Sequence, residues 1–164
     1  MNLQNYTLEE IFLAAIKSEV ESRDAYADLA NGVKNAFLRE RLRFLSGEED
    51  RHREFLWDMC KKRFPERQIS LPKKSPIPLP VIRIWEKGIK LSEVIGSAME
   101  AEKGARDFYH AFAHQMGKDP EIAATLEYFS SMEWSHYRLL EIEREHALRY
   151  EAYDEYWPMM HVGP

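Results

Sequence analysis

A duplicated pattern of glutamate, tyrosine and histidine constrains the fold of this 164-residue chain more than any other sequence feature. The segments SEVESRDAY (18–26) and AEKGARDFY (101–109) share a glutamate, an Arg-Asp pair and a tyrosine at the same relative positions. A Glu-x-x-His element follows each segment at a nearly constant distance, first Glu49 with His52 and then Glu133 with His136. Such a repeat predicts two structural halves of similar design.

Helix signals dominate both halves. Thr7, three residues before Glu10, gives a capping-box pattern at the start of the first helix. Apolar residues then recur every three or four positions, which is typical of a helix with one buried face. Pro65 ends the second helix because it lacks a backbone donor, whereas Asp119 and Pro120 suit the first positions of the fourth. The predicted helices span residues 8–31, 35–63, 92–116 and 120–150.

The segment 65–91 differs from the rest of the chain, because its prolines exclude a continuous helix. Its length suits a connection that travels along a whole bundle before a helix begins in parallel with the last one. A chain of this size buries one core of ordinary dimensions. We therefore predict one all-α domain over residues 1–164, a four-helix bundle made of two helical hairpins joined by a long crossover.

The predicted buried faces carry acidic and imidazole groups in their middle turns. Burying an ionised carboxylate costs several kcal/mol, so four together would cost about as much as the ~5–15 kcal/mol stability of a domain. Arg23 and Arg106 lie at the edges of these faces and do not explain the histidines. Two divalent ions would balance four carboxylates, with one neutral imidazole for each ion. The candidate metal ligands are Glu19, Glu49, His52, Glu102, Glu133 and His136.

A single Glu-x-x-His match is weak evidence, because glutamate is abundant in this sequence and such pairs arise by chance. A third match, Glu143 with His146, has no counterpart in the other half and is interpreted as a chance instance. Carboxylate and imidazole ligands together favour iron or manganese, with zinc substitution as an alternative. Two iron ions are the predicted cofactor, since glutamates from two helices and Glu-x-x-His from two others form a known di-iron pattern.

Over roughly residues 8–146, the pattern resembles the rubrerythrin branch of the ferritin-like superfamily, in which each helical hairpin carries Glu-x6-Tyr followed by Glu-x-x-His. The resemblance implies a ferritin-like fold in which Glu49 and Glu133 bridge two metal ions. Glu19 and Glu102 would be terminal ligands. The resemblance also implies that two tyrosines donate hydrogen bonds to these carboxylates, with plain core packing as the alternative role: Tyr26 and Tyr109.

The same resemblance implies a peroxidase-like non-haem oxidoreductase that reduces hydrogen peroxide to water. Two departures from the family pattern bear on this expectation. Ala105 stands where rubrerythrins place a further glutamate ligand, and Cys60 is the only cysteine, so the four-cysteine rubredoxin centre is missing. Turnover would then need an external electron donor, such as a rubredoxin-type protein.

Three other functions remain open from the sequence. The first is iron oxidation and storage of the ferritin type, which would require a large cage. The second is an oxygen-activating di-iron oxidase or hydroxylase that uses dioxygen, with the small Ala98 and Ala105 leaving space for a substrate. The third is a non-enzymatic bundle with a polar core.

Charge and composition limit the classes of partner that we expect for this protein. The formal net charge of -5 and short basic runs argue against nucleic acid. The longest N-terminal apolar run is too short to span a bilayer, and one cysteine fits a reducing compartment, so we expect a cytoplasmic protein without membrane contact. We also expect a homodimer or higher homo-oligomer.

The sequence assigns no role to two features. His110 and His114 lie one helical turn apart, a spacing that could bind a surface metal, but they are interpreted as an exposed pair because no carboxylate partner is evident in the sequence. The C-terminal segment 157–164, which includes His161, has no helical or catalytic pattern.

Overall fold

The structure is a computed structural model that describes residues 1–86 and 88–156. Within these residues it contains four α-helices and no β-strand. The fold is the predicted all-α, ferritin-like four-helix bundle. In chain order the helices are α1 (Leu8–Gly32), α2 (Ala36–Arg63), α3 (Leu91–Gln115) and α4 (Pro120–Tyr156).

Local sequence signals explain where α1 and α2 begin. Thr7 and Glu10 form the expected capping box, in which the Glu10 amide donates to Thr7 Oγ1 at 3.2 Å and the Thr7 amide donates to the Glu10 carboxylate at 2.8 Å. Asn35 caps α2 by accepting from the Leu38 amide at 3.1 Å. These side chains satisfy backbone donors that have no partner within the helix.

The start of α3 is capped differently, by a residue from the end of α4. Glu151 accepts from the Ser92 amide at 2.9 Å and from the Ser92 hydroxyl at 2.6 Å. This contact requires α4 to continue beyond the predicted end near Tyr150, and the helix indeed extends to Tyr156. The predicted end of α4 was therefore wrong. The sequence contains no helix-stop signal near Tyr150, and the contact of Glu151 with Ser92 is not visible in the sequence.

The helices pair as two antiparallel hairpins, α1 with α2 and α3 with α4. Their inward faces form two hydrophobic clusters. The first contains residues 11–16 of α1 and the second residues 94–101 of α3, each with matching stretches of the other three helices. Along every helix the candidate metal ligands lie between these two clusters. Apolar side chains therefore close the centre of the bundle from both ends.

The crossover between α2 and α3 packs along the outside of the bundle. Ile77 and Ile82 bury their side chains in the first and second clusters respectively, so the segment passes from one cluster to the other along the bundle. Between them, Pro80 lies against Gly104 of α3. A Cβ atom added at Gly104 would lie only 2.6 Å from Pro80 Cδ, which explains why the smallest residue occupies this site two positions after Glu102.

Across the described residues, no helix combines the length and the apolar character needed to cross a membrane.

We predict opposite effects for two helical glycine substitutions. Gly104→Ala should destabilise the protein by about 1–3 kcal/mol because Pro80 cannot retreat without disturbing the anchored crossover. Gly47→Ala should stabilise it by about 0.5–1 kcal/mol, since a Cβ there meets no atom within 4 Å and alanine favours the helix. Urea unfolding of both variants measures the two free energies. Equal stabilisation by both would show that the crossover does not press on α3.

Candidate metal centre

All six candidate ligands meet at the centre of the bundle. Their ligand atoms form two overlapping groups, each with all atoms within 4.8 Å of one another. One group contains Glu19 and His52, the other contains Glu102 and His136, and both include Glu49 and Glu133. Each of the six residues is at most 3% exposed. The structure thus places two adjacent donor sets around one shared pair of carboxylates.

The first donor set is arranged around Nδ1 of His52. This atom lies 3.0 Å from Glu133 Oε1, 3.4 Å from Glu49 Oε2 and 3.5 Å from Glu19 Oε2. His52 also stacks on Phe129, with ring centroids 4.3 Å apart, and this packing fixes the plane of the imidazole.

The second donor set repeats the first with residues of the other half. Nδ1 of His136 lies 3.3 Å from Glu49 Oε1, 3.3 Å from Glu133 Oε2 and 3.7 Å from Glu102 Oε2. The two imidazoles face each other with ring centroids 6.0 Å apart. Different oxygens of Glu49 and Glu133 therefore face the two histidines, which is the arrangement that lets one carboxylate serve two ions.

Two tyrosines cross between the hairpins to reach the terminal carboxylates. Tyr26 of α1 donates a short hydrogen bond to Glu102 of α3, and Tyr109 of α3 donates one to Glu19 of α1. Both rings are at most 1% exposed. The hydroxyl groups hold one oxygen of each carboxylate and leave the other directed toward the donor set.

Two serines that were not predicted from the sequence also occupy equivalent positions in the two halves. Ser46 of α2 donates to the carbonyl of Arg23 in α1 at 3.0 Å, and Ser130 of α4 donates to the carbonyl of Arg106 in α3 at 3.0 Å. Each serine stands three residues before the glutamate of its Glu-x-x-His element. The duplicated spacing Ser-x-x-Glu-x-x-His was the signal that could have revealed them.

Many polar atoms of the cluster have no hydrogen-bond partner although they are buried. They include both carboxylate oxygens of Glu133, one oxygen each of Glu19 and Glu49, both ring nitrogens of His52 and Nδ1 of His136. Buried polar atoms almost always have partners. The carboxylate oxygens and Nδ1 of each histidine lie together in two groups, which indicates a ligand that accepts their lone pairs, as a metal ion does.

Nearby arginines do not neutralise the cluster. Arg23 pairs with Asp24 and Asp50, while Arg106 pairs with Asp107 and lies 4.9 Å from the ring centre of Trp134. Their charges are satisfied at the bundle surface. Compensation of the buried carboxylates must come from protons or from metal ions.

In the metal-free protein, protons on the histidines supply part of this compensation. Burial alone would lower the pKa of His52, but the surrounding carboxylates outweigh it and raise the pKa to about 12. Burial likewise opposes protonation of His136, and the carboxylates around its ring raise its pKa well above the usual value.

The four glutamates divide into two pairs. Burial favours the neutral form of all four. In Glu49 and Glu133 contacts with the two histidines outweigh burial and lower the pKa. In Glu19 and Glu102 burial, reinforced by repulsion from Glu49, raises the pKa well above the usual value. Without metal, the environment thus favours protonated imidazoles at His52 and His136, ionised carboxylates at Glu49 and Glu133, and protonated carboxyl groups at Glu19 and Glu102.

The donor set is compatible with a pair of divalent ions of the iron and manganese class, since it offers imidazole nitrogen and carboxylate oxygen without thiolate. Glu143, the acid of the third Glu-x-x-His match, is buried outside these groups and pairs with Arg41. Its partner His146 is exposed. Ala105 is half-buried against the first hydrophobic cluster and adds no ligand.

We predict that binding of two Mn²⁺ ions releases up to about four protons near neutral pH. Bound ligands must be neutral imidazoles and ionised carboxylates, so the two histidines and the two terminal glutamates each lose a proton. The affinity should accordingly rise with pH. Calorimetric titration in buffers of different ionisation enthalpy counts the protons. Binding without proton release would contradict the charge assignment.

We predict that Tyr26→Phe and Tyr109→Phe weaken metal binding about 10–100-fold while the helix content is retained. Each change removes only the hydroxyl group that orients a terminal carboxylate. Competition with a chelator measures the affinity, and Tyr128→Phe on the exposed surface of α4 is the matched control. Unchanged affinity in the first two variants would mean that these tyrosines serve core packing alone.

Comparison with known proteins agrees with the geometry of this centre. A search of curated protein sequences gave no match. Among solved structures, a hypothetical protein from Pyrococcus furiosus is similar, with a TM-score of 0.77 and 33% sequence identity over 89% of this chain and 93% of that chain. The family model for rubrerythrin matches residues 10–154. Taken with the duplicated ligand pattern, this match shows that the chain belongs to the rubrerythrin family.

Proposed function

We propose that this protein reduces hydrogen peroxide to water at two iron ions held by the six buried residues. The observation that carries the proposal is the sealed pair of donor sets built around Glu49 and Glu133. When bound, two ferrous ions supply the two electrons needed to cleave the O–O bond, becoming ferric: H₂O₂ + 2 Fe²⁺ + 2 H⁺ gives 2 Fe³⁺ + 2 H₂O. Family membership supports a di-iron oxidoreductase.

The first contribution of the protein is to place the metal-binding side chains. Glu49 from α2 and Glu133 from α4 belong to both donor sets, so they would hold the two ions as a pair. His52 and His136 would each bind one ion through Nδ1, the atom nearest the carboxylates. Because four rigid helices supply these groups, little rearrangement is needed when an oxidant arrives.

The tyrosines hold protons beside the centre. Burial first, and the negative charge of Glu102 second, raise the pKa of Tyr26, and the pKa of Tyr109 is raised in the same way beside Glu19. Both hydroxyl groups therefore stay protonated and keep donating to the terminal carboxylates. They stabilise the ionised form of those carboxylates, which is the form that binds metal.

The surroundings of the centre favour a small oxidant. Ala98, which is completely buried, lies within the second hydrophobic cluster, and Ala105 packs against the first. Both small residues are thus used in helix packing. A bulky organic substrate would have to separate these helices, whereas hydrogen peroxide is little larger than water. Exclusion of water also limits side reactions of the oxidant.

Electrons to restore the ferrous state would come from outside these 164 residues. Cys60 is the single cysteine, is 2% exposed and packs in the first hydrophobic cluster, so it is not placed to carry electrons. A rubredoxin-type protein is the proposed donor. A reducing compartment such as the cytoplasm would suit both that donor and this thiol.

We predict that the anaerobic ferrous protein is oxidised by hydrogen peroxide with one peroxide consumed for every two iron ions. Optical titration with peroxide measures the ratio. His136→Ala should lose this two-electron reaction because one donor set loses its imidazole. His146→Ala, the exposed histidine of the same helix, is the matched control and should behave like the unchanged protein.

Three further measurements on the same protein separate peroxide reduction from its alternatives. Hydroxyl radical release, detected by spin trapping, would indicate one-electron chemistry and contradict the proposal. Storage would instead give a large cage by light scattering and iron uptake far above two ions per chain. Dimers or tetramers that saturate at two iron ions per chain agree with the proposed function.

A further inference from the structure

A second group of metal-ligating side chains lies on the outer surface of the bundle. His110 and His114 occupy successive turns of α3, with ring centroids 4.9 Å apart and ring planes at 83°. Glu127 of α4 lies beside them, and its carboxylate approaches Nδ1 of His110 at 3.0 Å. Ligand atoms of all three residues lie within 4.8 Å of one another.

The structure corrects one part of the sequence interpretation here. The two histidines are exposed, as expected. The absence of a carboxylate partner was wrong, because the packing of α4 against α3 brings Glu127 to the pair. This partner belongs to a different helix, and only the register between the helices places it opposite His110.

We propose that His110, His114 and Glu127 bind one late first-row divalent cation, of which Zn²⁺ is the representative probe. Two imidazoles and one carboxylate are an established zinc ligand set, which leaves a fourth coordination position for water or another ligand. Histidines at i and i+4 share one helix face, so both rings can turn toward a single ion. The carboxylate supplies negative charge that a histidine pair alone lacks.

This surface site is independent of the buried centre. It shares no residue with the six internal ligands, and its three residues are exposed whereas those six are buried. It offers two imidazoles and one carboxylate to a single ion, whereas each buried donor set has one imidazole and three carboxylates. The surface site therefore has a larger share of nitrogen ligands. That composition favours zinc, nickel or copper over iron or manganese. A bound ion would also join α3 to α4 from outside.

The test uses protein whose buried centre is already loaded with iron. Calorimetric titration with Zn²⁺ should show one additional equivalent per chain. His114→Ala should lose that equivalent, and Glu127→Gln should bind it more weakly. Iron content measured after each titration shows whether zinc has displaced the internal ions, and circular dichroism shows whether each variant is folded.

Two matched variants control for other histidines. His146→Ala removes an exposed histidine of α4, and His161→Ala removes one in the C-terminal segment outside the described residues; both should retain the additional equivalent. Titration with Cu²⁺, followed by electron paramagnetic resonance, should show a site coupled to two nitrogen ligands, and this signal should be absent in His114→Ala. No additional equivalent in the unchanged protein, or an equivalent that survives in His114→Ala, would overturn the proposal.

Discussion

The cost of burying ionised carboxylates governs the centre of this bundle. Four glutamates lie within a few ångströms of one another, and each is at most 3% exposed. Arginines that neighbour them in sequence are engaged with surface aspartates. Without a cation, the environment favours protons on the two histidines and on Glu19 and Glu102, which lowers the buried charge. Two divalent ions would balance the four carboxylates while satisfying the orphaned lone pairs, so metal binding would exchange protons for cations.

Duplication explains how a short chain builds this centre. Each hairpin supplies one terminal carboxylate, one Glu-x-x-His element, one tyrosine and one serine. The tyrosines act across the halves, because Tyr26 reaches Glu102 and Tyr109 reaches Glu19. The serines act within a half by joining the two helices of one hairpin, as Ser46 does with the Arg23 carbonyl. Neither hairpin can therefore complete a donor set alone, and the site depends on correct docking of both.

The sequence was informative wherever the governing interaction is local or repeated. Helix starts at Thr7 and Asn35 follow from capping within three residues. The six buried side chains that meet in the structure were identifiable because a periodic apolar pattern is interrupted twice in the same way.

Contacts between distant segments were not predictable from the sequence. The extension of α4 is coupled to its cap on Ser92, and the position of Glu127 depends on helix register. From the sequence alone, Gly104 is only a residue with low helix propensity. The structure shows that Pro80 packs against it and leaves no space for a side chain. In each case the two contacting residues lie on different segments of the chain. Their relative position is set by the tertiary packing of those segments and not by local sequence.

The equality of the two donor sets bears on the proposed redox chemistry. Ala105 and Ser22 hold equivalent positions in the two halves, three residues after the terminal glutamates, and neither adds a negative charge. Six ligands with four negative charges balance two divalent ions, whereas two trivalent ions would leave excess positive charge in a weakly solvated space. The ligand set would thus favour the reduced form of the proposed iron pair, whose oxidation would require a strong oxidant. Hydrogen peroxide, the proposed oxidant, would meet that requirement, and a further carboxylate at position 105 would shift the balance toward the oxidised state.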